Sequence, residues 1–157
     1  MESSFGTKGE RELSIYLLNI RSLRSNLTNL IGSLHGNGER PHVLVLTETW
    51  IYSWEEQLYT VDGYTAYFNS RGEGQAGGVA IYVRDDINSY HISNVTANCE
   101  ACVVGVEFAD GILPIVGVYR SPTATVSDPV EFILNGIESS GGEWHFSRPC
   151  LAFGHQH

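Results

Sequence analysis

The stretch Pro41–Trp50, "PHVLVLTETW", decides the fold because it joins a short apolar run to a carboxylate at its end. Val43–Leu46 is apolar with β-branched members, which predicts a buried strand. Glu48 follows it, between Thr47 and Thr49. A buried charge is costly without a partner, and ligands tend to bind where strands end in sheets covered by helices. Two interpretations are therefore open: Glu48 begins a solvated loop, or Glu48 holds a ligand.

The sequence on both sides of this strand predicts further strands and two helices. The run 13–19, "LSIYLLN", predicts a strand. Apolar residues then recur at the spacing of a helix before Gly36 and Gly38, which predict its end; they are Leu23, Leu27, Leu30, Ile31 and Leu34. Five later runs also predict strands: "YTAYFN", "GVAIYV", "SYHIS", "ACVVGVEF" and "ILPIVGVY". The stretch 128–139, "DPVEFILNGIES", begins with a capping-box pattern and predicts the second helix. With "CLAFG" (150–154) as a last strand, the order favours an α/β (α+β) fold with helices outside a mixed sheet.

Composition predicts a globular chain and limits the partners that it can bind. Hydrophobic residues make up 42% of the 157 residues and charged residues 17%, which is typical of a folded domain. The formal charge is −9, from 9 Lys and Arg against 18 Asp and Glu. Non-specific DNA binders normally carry basic surface, so this charge does not favour a nucleic-acid partner. A nuclease of this composition would rely on local basic residues and a metal ion.

The cysteines and the N-terminal residues indicate neither a disulfide framework nor a membrane anchor. Cys99, Cys102 and Cys150 are odd in number, and a single C-x-x-C pair favours ordinary reduced thiols over a zinc ribbon. Residues 1–12 are polar and predict a flexible tail without a signal peptide. No run has transmembrane length, so no membrane partner and an intracellular location are expected.

Polar residues stand at or just beyond the ends of three predicted strands. Asn19 follows "SIYLL", Glu48 follows "VLVLT", and Tyr119 and Arg120 follow "IVGV". If these strand ends meet at one edge, they offer an amide, a carboxylate, a phenol and a guanidinium. Carboxylate and amide oxygens suit Mg²⁺, which takes few protein ligands and keeps its waters. Arg and Tyr can donate to phosphate oxygens. The group suits a phosphodiester and a hard divalent cation.

Four stretches together resemble a known family. They are "LNIRSLRSNLTNL", "PHVLVLTETW", "GYTAYFNSR…GGVAIYVRDDI" and "VGVYRSP" followed by a helix. Their order and spacing across residues 13–138 resemble the endonuclease/exonuclease/phosphatase superfamily, and in particular the apurinic-like endonuclease domain of non-LTR retrotransposons. The resemblance implies a four-layer α/β sandwich of two mixed β-sheets flanked by helices. It also implies Mg²⁺-dependent cleavage of DNA phosphodiesters, with Mn²⁺ as a substitute, and a nuclear location if chromosomal DNA is the substrate.

The resemblance also implies roles for the residues at the strand ends. Glu48 would be the metal-binding carboxylate, and Asn19 its neighbour in the metal and phosphate site. Tyr119 would contact the scissile phosphate, with Arg120 beside it. The resemblance thus answers the question that Glu48 raised, because a metal ion would neutralise its charge.

The resemblance weakens towards the C-terminus. The family's next motif is a strand that ends in Gly-Asp-Phe-Asn, but "CLAFGHQH" places His155 where the Asp would be and His157 where the Asn would be. A neutral imidazole prefers borderline transition metals to Mg²⁺, although histidine can act as a base near neutral pH. The family's later Asp and Asp-His motifs have no counterpart. We therefore expect residues 13–157 to be a partial domain, incomplete at the C-terminus, from a truncated or degenerate copy.

Two other interpretations stay open. One is a catalytically inactive relic, or a fragment of this domain that only binds a partner. The other is a metal site made of Cys150, His155 and His157, with His145, but C-x₄-H-x-H matches no common zinc pattern. Gly77 and Gly78 indicate either close backbone approach or a tight turn.

Overall fold

Two β-sheets packed face to face form the fold in the computed structural model, which describes residues 2–7, 11–70, 76–96, 99–108, 111–120 and 150–154. The strands are β1 (Glu2–Thr7), β2 (Arg11–Asn19), β3 (Val43–Thr47), β4 (Tyr64–Asn69), β5 (Val79–Arg84), β6 (Ser89–Thr96), β7 (Cys99–Phe108), β8 (Gly111–Arg120) and β9 (Cys150–Gly154). Helix α1 spans Leu23–Gly36, and a 3₁₀ turn spans Ser53–Leu58.

Both sheets are mixed, as the sequence predicts. The first has the strand order β1-β2-β3-β5-β4, with β2 and β3 parallel and joined through α1. The second has the order β6-β7-β8-β9, with β8 and β9 parallel and the other pairs antiparallel. Strands β6, β7 and β8 follow one another directly along the chain. The fold is an α/β sandwich, which confirms the predicted class.

The core between the sheets is apolar and tightly closed at Gly117. Valine, isoleucine and leucine side chains of β2, β3 and β5 face those of β7 and β8. A Cβ atom on Gly117 would lie 2.7 Å from Val79 Cγ1 and 2.9 Å from Val45 Cγ1. Those distances leave no room for a side chain. A glycine at this position therefore lets β8 approach the first sheet closely.

Helix α1 covers the outer face of the first sheet. Ser22 caps its N-terminus, because its Oγ accepts a hydrogen bond from the Ser25 N–H at 3.2 Å. Leu23 and Leu27 pack on Leu44 and the other outward residues of β3 and β5. In the described residues, no helix is long and apolar enough to cross a membrane.

The strand predictions are confirmed for β2 to β9, and one further strand differs from expectation. Residues 1–12 were expected to form a flexible tail, whereas Glu2–Thr7 pairs antiparallel with β2. Main-chain hydrogen bonds can hold an edge strand whatever its side chains are. Its sequence therefore need not show the alternation of apolar residues from which a strand is predicted. The predicted helix at 128–139 lies outside the described residues.

The C-x-x-C pair consists of two free, buried thiols, as expected. Cys102 faces the first sheet, whereas Cys99 packs on the opposite face of β7. An odd separation along a strand puts side chains on opposite faces. Burial raises the pKa of Cys102 to about 12. The two cysteines therefore cannot bind one metal ion together.

Candidate active site

The ends of β2 and β3 lie side by side, and the segments that follow them stay together. Asn19 pairs with Thr47, and Thr47 pairs with Val79 of β5. Beyond the strands, the Ile20 N–H donates to the Thr47 carbonyl at 2.9 Å. The Ser22 N–H donates to the Glu48 carbonyl and the Leu23 N–H to the Thr49 carbonyl, both at 3.0 Å. The first turn of α1 is therefore tied to the segment that carries Glu48.

Strained backbone is concentrated in these two segments. Four non-glycine residues of the described chain have positive φ, and all four follow β2 or β3: Arg21 (47°), Ser22 (99°), Glu48 (56°) and Trp50 (55°). The Asn26 amide holds the first of these turns by donating to the carbonyls of Ile20 and Arg21 at 2.8 and 3.0 Å. Such conformations cost free energy and cluster at functional sites. The strain marks this end of the sandwich as a candidate site.

Glu48 is a buried carboxylate without a hydrogen-bond donor. It is 1% exposed, and neither of its oxygens accepts a hydrogen bond from any described residue. The Arg21 Nε lies 3.9 Å from Glu48 Oε2, and the Arg21 side chain is 60% exposed. That distance is too long for a hydrogen bond. Burying a carboxylate in this way is expensive unless a cation binds it.

Neutral buried oxygens at the ends of β2, β3 and β4 also have no hydrogen-bond partner among the described residues. They include Asn19 Oδ1, Thr47 Oγ1, Thr49 Oγ1 and Ser70 Oγ. No group of three or more His, Cys, Asp or Glu residues in the described ranges could hold a metal ion. One carboxylate with neutral oxygens fits Mg²⁺, which is usually held by one or two carboxylates and keeps several waters.

Gly77 and Gly78 connect this segment to the second sheet. Their φ angles are +77° and +92°, and the Trp50 N–H donates to the Gly77 carbonyl at 3.1 Å. A Cβ on Gly78 would overlap Thr49 Oγ1. The interpretation as close backbone approach is therefore confirmed, and the positive φ angles also favour glycine, whereas neither glycine lies in a hydrogen-bonded turn.

Tyr119 reaches the same place from β8. A Cβ on Gly77 would lie 3.1 Å from Tyr119 Cε1 and 2.7 Å from Glu100 Oε1. Tyr119 and Glu100 are paired in the β7–β8 register and are 3% and 2% exposed. The structure therefore brings Asn19, Glu48 and Tyr119 to one end of the sandwich.

Glu100 is a buried acid that the sequence analysis missed. It lies at the start of β7, in the apolar run "CEACVVGVEF". A single carboxylate at the start of a buried strand is the signal that would have indicated it. Its closeness to Tyr119 depends on the strand register, which no local pattern gives.

Arg120 lies on the other face of its strand from Tyr119. It pairs in register with Cys99, which packs on the side of the second sheet turned away from the first. Neighbouring residues of a strand alternate between faces, so the two predicted phosphate contacts are separated. His155 and His157 lie outside the described residues, as do His145 and the side chain of Cys150.

An ion pair fixes the loop that follows Glu48. The Arg24 Nε donates to Glu55 Oε1 at 3.0 Å, its Nη2 bonds Glu55 Oε2, and its Nη1 donates to the Trp50 carbonyl at 3.1 Å. The Tyr52 N–H donates to the same carboxylate at 2.7 Å. The hydrogen bond from Arg24, and then that from Tyr52, lowers the pKa of Glu55, while Glu55 raises the pKa of Arg24.

The comparisons with known proteins agree with this fold. The model of the endonuclease/exonuclease/phosphatase family matches residues 17–151, which is most of the chain. The chain belongs to the endonuclease/exonuclease/phosphatase family. A search of curated protein sequences gives no significant match.

Several solved structures share the fold of this chain at low sequence identity. The endonuclease domain of TRAS1, a telomere-specific non-LTR retrotransposon, is 16% identical with a TM-score of 0.51, over 80% of this chain and 50% of that one. TDP2 of D. rerio, in complex with a single-strand DNA product, is 16% identical with a TM-score of 0.56, over 82% and 56%. A family protein from Bacteroides thetaiotaomicron is 12% identical with a TM-score of 0.53, over 91% and 61%. The chain thus spans about half the length of the TRAS1 domain.

Proposed function

We propose that this domain hydrolyses DNA phosphodiesters with a divalent metal ion, as an endonuclease of the retrotransposon type. The observation that carries the proposal is the buried carboxylate of Glu48, which accepts no hydrogen bond from the described residues. The solved retrotransposon endonuclease domain with this fold supports the choice of substrate class. With chromosomal DNA as substrate, the site of action would be the nucleus.

Glu48 and Asn19 are the residues proposed to hold the metal ion. Their oxygens are hard donors, which favours Mg²⁺, with Mn²⁺ as a substitute. The ion, when bound, supplies positive charge to a phosphoryl oxygen and lowers the pKa of bound water. The left-handed turn at Glu48 and its contacts with the first turn of α1 hold the carboxylate in place before substrate arrives. Preorganisation of this kind is the main protein contribution to electrostatic catalysis.

Tyr119 and Arg21 are proposed to act on the phosphate. The Tyr119 ring packs on Gly77, next to the segment that carries Glu48, so its phenol can donate to a phosphoryl oxygen. Arg21 is mostly exposed and lies near the same carboxylate, so it can turn towards a bound phosphate. Arg120 remains a candidate for a more distant phosphate, because it lies on the opposite face of β8.

The test is nicking of supercoiled plasmid with Mg²⁺ or Mn²⁺. Glu48→Gln keeps the shape of the side chain and removes its charge, and we expect it to slow nicking by about 10²- to 10³-fold. The matched control is Glu12→Gln, at an exposed position near the start of β2. Circular dichroism establishes that both variants are folded.

The same experiment separates cleavage from binding alone. Equal nicking by wild type and Glu48→Gln contradicts the proposal. A folded wild type that binds Mn²⁺ through Glu48 and does not nick supports the second candidate, a binding-only domain. The formal charge of −9 favours that candidate over a broad DNA-binding surface.

A further inference from the structure

Two aromatic side chains, the half-buried Tyr52 and the exposed Trp54, stack on each other in the loop that follows Glu48. The rings of Tyr52 and Trp54 are nearly parallel, at 8°, with centroids 5.9 Å apart. Trp54 is 68% exposed although it is among the largest apolar side chains in the protein. Leu58, on the same 3₁₀ turn, is 65% exposed as well, and the polar residues Ser53 and Gln57 are exposed beside them. The exposed apolar surface here is therefore a few side chains, which is smaller than a protein–protein interface needs.

The pair is held rigidly by the groups beneath it. The Arg24 guanidinium lies 5.9 Å from the centroid of the Tyr52 ring, within the range of a cation–π contact. The same guanidinium bonds Glu55 and the Trp50 carbonyl, and Glu55 also accepts from the Tyr52 N–H. A ring fixed in this way loses little conformational entropy when a second ring stacks on it.

The pair is also directly connected to the candidate metal site. Trp50 joins the two, because its carbonyl accepts from Arg24 while its N–H donates to the Gly77 carbonyl. Glu48 lies two residues before Trp50 in the chain. Arg21, which lies near Glu48, belongs to the turn that precedes Arg24 and is mostly exposed. Arg21 therefore lies near Glu48, and the aromatic pair lies in the loop that follows Glu48 and is bonded through Arg24 to Trp50.

We propose that Tyr52 and Trp54 form a stacking platform for an unpaired base of the DNA strand whose phosphate is cleaved at Glu48. The inference rests on the proposed function. An exposed ring face beside guanidinium groups is the combination that proteins use to bind single-stranded nucleic acid. Because the chain has a net charge of −9, stacking would supply positioning that phosphate contacts alone cannot.

The test measures the Kd for a fluorescein-labelled, single-stranded thymidine 12-mer by fluorescence anisotropy. EDTA is present so that no cleavage occurs. We expect Trp54→Ala to weaken binding by about tenfold, which is within the range for loss of one stacked base, and Trp54→Phe to retain most of it. The matched control is Leu58→Ala. Leu58 lies on the same 3₁₀ turn and is 65% exposed, but it has no ring to stack, so its loss should leave the affinity unchanged.

The salt dependence of binding distinguishes stacking from phosphate contact. Trp54→Ala should lower the affinity without changing the slope of log Kd against log salt, whereas Arg21→Ala should make that slope shallower. A blunt duplex, which has no unpaired base, should bind equally to wild type and Trp54→Ala. Wild-type affinity of Trp54→Ala for the 12-mer, or no binding by wild type, overturns the platform.

The outcome is independent of the nicking assay. Loss of nicking in Glu48→Gln with unchanged 12-mer binding in Trp54→Ala leaves the proposed function in place and removes the platform. A stacking effect at Trp54 without metal-dependent nicking removes the proposed function and leaves a platform for single-stranded nucleic acid.

Discussion

Arg21 and Glu48 lie 3.9 Å apart, yet the arginine side chain is 60% exposed and the carboxylate is buried. A solvated guanidinium at that distance gives little compensation for a carboxylate that has left water. Both residues also have left-handed backbone conformations. The buried charge of Glu48 and the left-handed backbone around it therefore destabilise the folded state, and a bound cation would offset much of the cost of the buried charge.

The first prediction concerns the stability of Glu48→Gln. Without metal, the free energy of unfolding of this variant should exceed that of wild type by about 1 kcal/mol, because the substitution removes a buried charge that lacks a hydrogen-bond donor. With Mg²⁺ at 100 times its Kd, wild type should gain about 2.7 kcal/mol and the variant should gain nothing. Urea unfolding with and without Mg²⁺ measures both effects. Equal stabilisation of the two proteins by Mg²⁺ would contradict the assignment of Glu48.

The second prediction concerns the glycine beside Thr49. Gly78→Ala should destabilise the fold by about 1–3 kcal/mol, because alanine at φ +92° is strained and its Cβ would meet Thr49 Oγ1. The control is Gly32→Ala, in α1, where nothing lies within 4 Å of the added Cβ. That change should stabilise the fold by about 0.5–1 kcal/mol. Thermal unfolding measures both, and a neutral Gly78→Ala would refute the close approach.

The third prediction concerns the ion pair between Arg24 and Glu55. Glu55→Ala should increase hydrogen exchange at the Tyr52 amide, because that N–H loses its acceptor. Glu56→Ala, one residue further along, leaves the Arg24 contacts intact and should change nothing at Tyr52. The lowered pKa of Glu55 means that its contribution is present above the ordinary carboxyl pKa and is lost as pH falls through the lowered one. Unchanged Tyr52 exchange in Glu55→Ala would show that the loop is held by other contacts.

The fourth prediction concerns His42 and mild acid. His42 Nδ1 accepts a hydrogen bond from the Ser14 N–H at 3.0 Å, and burial, followed by the charge of Arg84, lowers the pKa of His42. The folded state therefore favours neutral imidazole. Stability is fully present above the unfolded pKa of about 6.5 and falls as pH drops through the lowered value. His42→Asn keeps an acceptor without titrating, so its unfolding midpoint should vary less between pH 7.5 and 5.5. A variant with the full wild-type pH dependence would exclude His42 as the cause.

Part of the site follows from sequence because it needs only strand ends. Asn19 and Glu48 follow neighbouring strands of the first sheet, and the ends of such strands meet at one edge. Tyr119 also lies near the end of an apolar run, but it belongs to the second sheet, so its closeness to them depends on how the two sheets are aligned. The separation of Arg120 from Tyr119 also follows from alternation along a strand, once the strand is recognised. The predicted roles of these residues remain predictions.

The rest depends on contacts that a local pattern does not contain. Glu100 reaches Tyr119 only through the β7–β8 register, and the pairing of β1 with β2 is not indicated by its sequence. Gly117 has its role because two valines of the other sheet face it. Each of these features requires knowing which strands pair and how the two sheets are aligned.

The parallel pairing of β8 with β9 has a consequence for how the chain folds. Strands β6, β7 and β8 are successive hairpin partners and can assemble from short-range contacts, whereas β9 must first bring together the two ends of 121–149. Long-range parallel pairing is slow compared with hairpin formation. We therefore expect β9 to join last. Until it does, β8, the strand that carries Tyr119, has an open edge, and newly made chains can pair with one another through it.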